Sequence, residues 1–242
     1  MTDEQPELNT ALMNDLRQVS VATLTTVLYK RGFRNQFLQD VSPIDPGGPR
    51  MAGPAFTVRT IPAREDKAVP AVLSDRKYPG RAAIEACPPG HVLVFDCRQD
   101  ARSASGGDIL MTRLMVRGVE GCVTDGGMRD CGEIEEMEFP VYQVQPSPPI
   151  SLLHHLAVDM QIPIACGGAA IYPGDIMVGD DEGVVAVPAD IAAEVAAEAI
   201  ELTAYEDFAA EQVRNGAELF SVYPQTDLSK QKFDRWRREK GR

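Results

Sequence analysis

Two glycine-bearing stretches hold the residues best suited to chemistry. The first is Thr124-Asp125-Gly126-Gly127-Met128-Arg129-Asp130. An apolar run, 121–123, leads into it and an acidic segment, 132–137, follows, so it reads as strand, glycine turn and the mouth of a helix. Two adjacent glycines permit a sharp turn and a close approach of backbone to a bound group. Arg129 offers a planar fork of donors suited to a carboxylate or an enolate oxygen. Asp130 offers a hard oxygen ligand suited to Mg²⁺. The same residues also suit a plain strand-to-helix turn closed by a local ion pair. The second stretch, Ser105-Gly106-Gly107-Asp108-Ile109-Leu110, opens a helix predicted over 108–117. Glycines ahead of a helix leave backbone N–H groups free, which makes an anion site. Asp108 is either an N-cap or a second acid beside a metal.

Together the two stretches resemble the class II pyruvate aldolase family, that of 4-hydroxy-4-methyl-2-oxoglutarate/4-carboxy-4-hydroxy-2-oxoadipate aldolase. That family shares its fold, the RraA-like one, with the regulator of ribonuclease E activity. Further matching pieces are residues 53–58, 172–175 and 179–184, and the likeness spans about 19–199. The resemblance implies a single α/β domain, the swivelling β/β/α sandwich, assembled as trimers or hexamers with active sites between subunits. It implies retro-aldol cleavage of a 4-hydroxy-2-oxo acid to pyruvate, with oxaloacetate decarboxylation at the same site, both through the enolate of pyruvate. Mg²⁺, Mn²⁺ or another divalent ion would act as Lewis acid. By the same resemblance Asp130 is the direct metal ligand, Asp108 holds the metal through water, and Arg129 meets the pyruvyl oxygen. Gly107 and the backbone N–H groups of Ile109 and Leu110 receive the substrate carboxylate. The proton acceptor is a metal-ordered water. The chain departs from the pattern in Gly127, which suggests a roomier pocket or looser turn, in the segment 62–66 and in the extension beyond Leu202. These bear on the substrate more than on the metal site. The alternative function is a non-catalytic, protein-binding regulator of the ribonuclease E inhibitor type. Such a regulator needs neither metal nor an Arg-Asp pair, so Asp108, Arg129 and Asp130 together favour the enzyme.

Other candidates are weaker. His154 and His155 are adjacent, and neighbours on a helix do not face one another, which points to a structural role. Cys166 precedes two glycines, but no motif pairs it with a histidine, so it reads as a core thiol. Asp175, Asp180, Asp181 and Glu182 lack the EF-hand order; Asp175 reads as turn chemistry, with Asp181 or Glu182 contributing to a neighbouring subunit's site. No GxGxxG or GxxxxGK[ST] nucleotide motif occurs. The net charge of −12 argues against nucleic acid as a partner. It also means that an anionic substrate needs a local positive site, which Arg129 and a metal would supply. The five cysteines form no CxxC pair and read as reduced thiols of a cytoplasmic protein. No apolar run reaches membrane-spanning length, and the polar, acidic start is unlike a secretory signal.

The elements that must position these residues follow from periodicity. Leu8, Leu12, Leu16 and Val19 fall at helical spacing, after a frayed start over 1–7. Ser20 caps a second helix over 21–31, which Gly32 ends. Strands are predicted over 51–61, 91–96, 121–124 and 140–144, and helices over 81–87, 108–117 and 131–137, which makes repeated α/β units around a largely parallel sheet. Residues 62–78 read as a solvated loop. Residues 162–188, short apolar runs between glycines, read as a second, strand-rich layer. A long helix over 191–215 follows, stopped by Gly216. The domain plan is a lead-in over 1–18, one domain over 19–216 and a basic tail over 217–242, partly disordered from Leu228.

Overall fold

The computed structural model describes residues 8–240; the frayed start predicted over 1–7 lies outside them. Two capped helices open the chain. Asn9 accepts from the Leu12 N–H at the start of α1 (Thr10–Gln18), and Ser20 accepts from the Thr23 N–H at the start of α2 (Val21–Lys30). After β1 (Ser42–Pro43) comes β2 (Met51–Pro62), a twelve-residue strand to which much of the sheet attaches. A 3₁₀ turn (Pro70–Ser74) leads to α3 (Pro79–Ala86) and β3 (Val92–Asp96). Next come α4 (Asp108–Val116), β4 (Gly121–Thr124), β5 (Gly127–Met128), α5 (Cys131–Glu135), β6 (Val141–Gln143) and β7 (Gln145–Pro146). The rest is β8 (His155–Met160), the hairpin β9 (Ile164–Cys166) and β10 (Ala169–Ile171), the hairpin β11 (Ile176–Asp180) and β12 (Gly183–Val187), then α6 (Ala192–Arg214) and α7 (Asp227–Lys240).

The main sheet runs β1-β6-β4-β3-β2-β11-β12, with β8 also paired to β2. The pairs β2–β3, β3–β4 and β4–β6 are parallel, as continuous apolar runs joined by helices require. The long β2 meets β11 antiparallel through its first four residues and β8 antiparallel through its last five, with a register shift between Arg59 and Thr60. The segment before β1 bonds to β12, Leu38 N–H to the Val184 carbonyl, so the sheet curls nearly into a barrel.

Side chains alternate between the two faces, and both are buried. Val92 and Val94 of β3 point into the interior with Met177 and Ala186, while Leu93 and Phe95 point outward beneath α3, α4 and α5. On β11 and β12, Ile176, Val178, Val185 and Val187 point outward beneath α1, α2 and α6. No helix among the described residues is long and apolar enough to cross a membrane.

Three readings of the sequence need correction. Residues 162–188 do not form one separate layer: β11 and β12 extend the main sheet along the free first half of β2, and only the hairpin β9–β10 stands as a sheet of its own. The stretch from Leu228 is an ordered helix through Lys240: Phe233 and Trp236, three residues apart, pack edge-on and tilted against Tyr205 and Phe208 of α6. Its charged remainder masks this narrow apolar stripe. His154 and His155 are not helical, since His155 is the first residue of β8.

Candidate active site

The two glycine stretches meet because their backbones are stitched together. The Ser105 N–H donates to the Gly127 carbonyl at 2.7 Å, and the Arg129 N–H donates to the Gly106 carbonyl at 3.1 Å. On its other side β5 pairs with β7. Gly127 is squeezed between these neighbours: a Cβ there would overlap the Ser147 Cβ and approach the Ala101 carbonyl oxygen to 3.1 Å. The glycine therefore serves close approach, and the roomier pocket or looser turn expected from it is not found. Nor do the glycines make the sharp turn. That falls to Asp130, in the left-handed region at φ 57°, which an aspartate tolerates better than most residues. A buried hydroxyl and thiol chain, Thr124 to Ser105 at 2.6 Å and Ser105 to Cys97 at 3.2 Å, fixes the underside. The Asp125 carboxylate accepts N–H bonds from Cys97, Gln99 and Gly167, tying three loops together. Burial pushes its pKa up to about 6 against the opposing pull of those three bonds.

Above this floor lies a cavity of about 240 Å³. Gly107, Asp108, Ile109, Leu110, Arg129 and Asp130 all line it. Gly107 is the N-cap of α4 and Asp108 its first residue, so Asp108 is not itself the cap. The Ile109 N–H has no partner among the described residues, whereas the Leu110 N–H donates to the Gly107 carbonyl at 3.1 Å. One of the two expected carboxylate donors is thus already engaged. Arg129 Nε donates to Asp130 at 3.1 Å, the local ion pair that the sequence also allowed. The Asp130 carboxylate lies directly on Gly107, where any Cβ would overlap its Oδ2.

The donor set suits a hard divalent ion. Two carboxylates reach one cavity at a helix N-terminus, and the nearby Cys97 thiol is held protonated, its pKa pushed up to about 12 by burial. Among the described residues no group of three or more His, Cys, Asp or Glu could hold a metal. An ion would thus take most of its ligands from water and substrate, as Mg²⁺ commonly does.

Cys166 and the acidic candidates of 175–181 lie elsewhere. Cys166 is buried, its thiol toward the Phe95 carbonyl at 3.6 Å. Asp175 closes a turn by accepting from the Tyr172 N–H, Asp180 accepts from the Val21 N–H, and Asp181 accepts from the Gly47 N–H. The structure adds lining residues that the sequence reading did not single out, Thr60, Leu73, Tyr78, Arg81, Cys97 and Ile150 among them, and it brings His155, read from sequence as structural, onto the cavity wall. Leu73 and Tyr78 show that 62–78 is part of the cavity wall and not only a solvated loop. Tyr78-Pro79-Gly80-Arg81 at a helix start repeats the glycine-then-helix signal of 105–110 and could have flagged this wall.

Comparison with known proteins gives the family. A family model described as RraA-like, Aldolase/RraA, matches residues 18–186. A protein of Halalkalibacterium halodurans named "Putative 4-hydroxy-4-methyl-2-oxoglutarate aldolase" is 34% identical over 108 residues, 45% of this chain and 50% of that protein. The protein DlpA of Legionella pneumophila is 26% identical over 218 residues, 90% of this chain and 33% of that protein. The matches therefore span half or less of the length of these two relatives. Among solved structures, RraAS2 of Streptomyces coelicolor, described as an unusual member of the RNase ES inhibitor RraA protein family, superposes with a TM-score of 0.74. It is 31% identical, with 84% of this chain and 96% of that chain covered.

Proposed function

The chain belongs to the RraA-like, Aldolase/RraA family, and on that premise we propose that it is a divalent-metal-dependent lyase. It cleaves a 4-hydroxy-2-oxo acid to pyruvate and a second carbonyl compound, and decarboxylates oxaloacetate as a side reaction. The observation that carries this reading is the convergence of Asp108, Arg129, Asp130 and the start of α4 on one cavity. With Nε–H committed to Asp130, Arg129 keeps its Nη donors for the pyruvyl oxygen, where negative charge grows as the C3–C4 bond breaks. The Ile109 N–H and the positive end of α4 receive the substrate carboxylate. Asp130 directly and Asp108 through water would hold Mg²⁺ or Mn²⁺, which would supply Lewis acidity.

The active form is a homotrimer or hexamer. Support comes from α4, which leaves Ile109 and Val116 exposed at 77% and 69% beside the cavity, an apolar face suited to a neighbouring subunit. One observation favours the regulator reading instead: the fold likeness to RraAS2 covers 84% of this chain at 31% identity.

Pyruvate release from oxaloacetate and from a panel of 4-hydroxy-2-oxo acids, coupled to lactate dehydrogenase, separates the two. The lyase releases pyruvate with Mg²⁺ or Mn²⁺, stops in EDTA, and is abolished by Asp130→Ala. No pyruvate from any substrate with either ion would leave the regulator as the better reading.

A further inference from the structure

His155 lies on the far side of the cavity from Arg129 and Asp130. Its strand, β8, pairs with β2, and β2 and β3 stand between it and β4, which feeds the Arg129 turn. The side chain is almost wholly buried, at 2% exposure, and lines the cavity. Arg98 Nη2 lies 2.9 Å from its Nδ1 and also donates to the His154 carbonyl at 3.0 Å. A guanidinium only donates, so Nδ1 must present its lone pair and the ring proton must sit on Nε2. Burial first, and the Arg98 charge second, hold the ring neutral against the weaker pull of Asp100 and the Ser103 carbonyl. Nε2 itself is buried and makes no well-aligned hydrogen bond among the described residues, the Ser103 carbonyl being the one backbone oxygen that pulls on the ring. Other buried side-chain atoms lack a partner too, on Arg98, Arg117 and Thr203, but none of those residues lines the cavity. A buried donor left unmatched in the free protein calls for an acceptor from outside.

Its surroundings favour an oxygen acceptor. The Tyr78 hydroxyl, also on the cavity wall, accepts from the Ala157 N–H at 3.2 Å and keeps its own proton to donate. Arg81 lines the same side, exposed and without an ion-pair partner among the described residues.

We propose that the His155 Nε2–H donates a hydrogen bond to an oxygen at the far end of the bound 2-oxo acid. His155 then selects substrates that carry a second oxygen function beyond C3. The proposal rests on the reading of the cavity as a 2-oxo acid site. It excludes His155 as the base that takes the 4-hydroxyl proton, because the Nε2 lone pair that a base needs is replaced by a proton while Arg98 holds Nδ1.

The matched probes are 2-oxoglutarate, with a distal carboxylate, and 2-oxopentanoate, with a methyl group in its place, each with Mg²⁺. The chain has only three histidines, so long-range ¹⁵N–¹H spectra of the full-length protein resolve each ring. His155 should appear as the Nε2–H tautomer, and its Nε2 and Hε2 signals should move on saturation with 2-oxoglutarate but not with 2-oxopentanoate. By calorimetry, His155→Phe should weaken 2-oxoglutarate about tenfold or more and leave 2-oxopentanoate nearly unchanged, the loss of one hydrogen bond to a charged group. His155→Gln places an amide N–H near the Nε2 position and should recover most of that affinity. His155→Phe also removes the acceptor for Arg98, but that loss alone predicts equal weakening of the two acids. Equal losses, an Nδ1–H tautomer, or binding of both acids without any response at His155 would overturn the proposal alone. Failure of both acids to bind the wild-type protein would overturn the 2-oxo acid reading together with it.

Discussion

Replacing Arg129 by lysine keeps a positive charge and removes the planar fork. Arg129 Nε is committed to Asp130 at 3.1 Å. The donors left for a substrate oxygen are the coplanar Nη groups, and an ammonium offers no second coplanar set. Loss of one preorganised donor to a developing oxyanion costs about 3 kcal/mol, or roughly a hundredfold in kcat. The fold loses far less. The side chains of Arg129 and Asp130 are 47% and 28% exposed, and an ion pair so open to solvent contributes about 1 kcal/mol or less. For a chain of this size that moves Tm by about 2–4 °C at most. The assay is pyruvate formation from a 4-hydroxy-2-oxo acid and from oxaloacetate, run beside thermal unfolding on Arg129→Lys and Arg129→Ala. Both reactions should fall together, since they share the enolate, while Tm stays nearly constant. Near-normal turnover in Arg129→Ala would refute the enolate role, and a large drop in Tm with turnover intact would make Arg129 a structural residue.

Two further substitutions probe the floor and lip of the cavity, and one measurement the assembly. Gly107 is extended at φ −148°, a conformation open to any residue, so Gly107→Ala should fold with an unchanged Tm. Its methyl group displaces the Asp130 carboxylate, so Mg²⁺-dependent turnover should fall by about tenfold or more, read as kcat against Mg²⁺ concentration. Asp125 binds its proton more tightly folded than unfolded, because its folded pKa of about 6 exceeds the ordinary aspartate value of 3.8. Its ionisation therefore costs stability as pH rises through 6, and that cost is absent below the unfolded value. Denaturant unfolding of wild type and Asp125→Asn at pH 4 to 7 should show the wild type gaining on the variant as pH falls from 7 toward 4, by up to about 3 kcal/mol. A flat difference would place the Asp125 pKa in the ordinary range. Sedimentation should give a trimer or a multiple of three, and a stable, fully active monomer would remove any role for a neighbouring subunit.

The parallel part of the sheet was legible because strands buried on both faces write continuous apolar runs, and 121–124 matches β4 to the residue. Helix α4 was legible from the glycines ahead of it. The meeting of the two glycine stretches followed only from resemblance, since the bonds that join them, from Ser105 to Gly127 and from Arg129 to Gly106, are backbone to backbone and leave no side-chain signature. The left-handed turn at Asp130 was hidden for a related reason: two glycines beside it look like better turn formers, yet tertiary crowding by Ser147 and Cys97 claims them. His155 was misread because the apolar context of 152–156 suits a helix, and only the bulged end of β2 draws it into a strand. Burial with one ring nitrogen unmatched is a property of the folded cavity and cannot be seen in sequence.

The α6–α7 contact has a dynamic consequence. Tyr205, Phe208, Ala209, Val222, Phe233 and Trp236 form a cluster that shares no residue with the three cores of the sheet, and the Tyr205 hydroxyl bonds to the Val222 carbonyl and to Ser229 inside it. The first half of α6 belongs to the core with α1 and α2, through Val195, Ala196 and Ala199. Protection against amide exchange should therefore change partway along α6. Residues before about 202 should open only with the body of the protein, and those from Tyr205 through α7 should open together as a smaller cooperative unit, at a lower free energy.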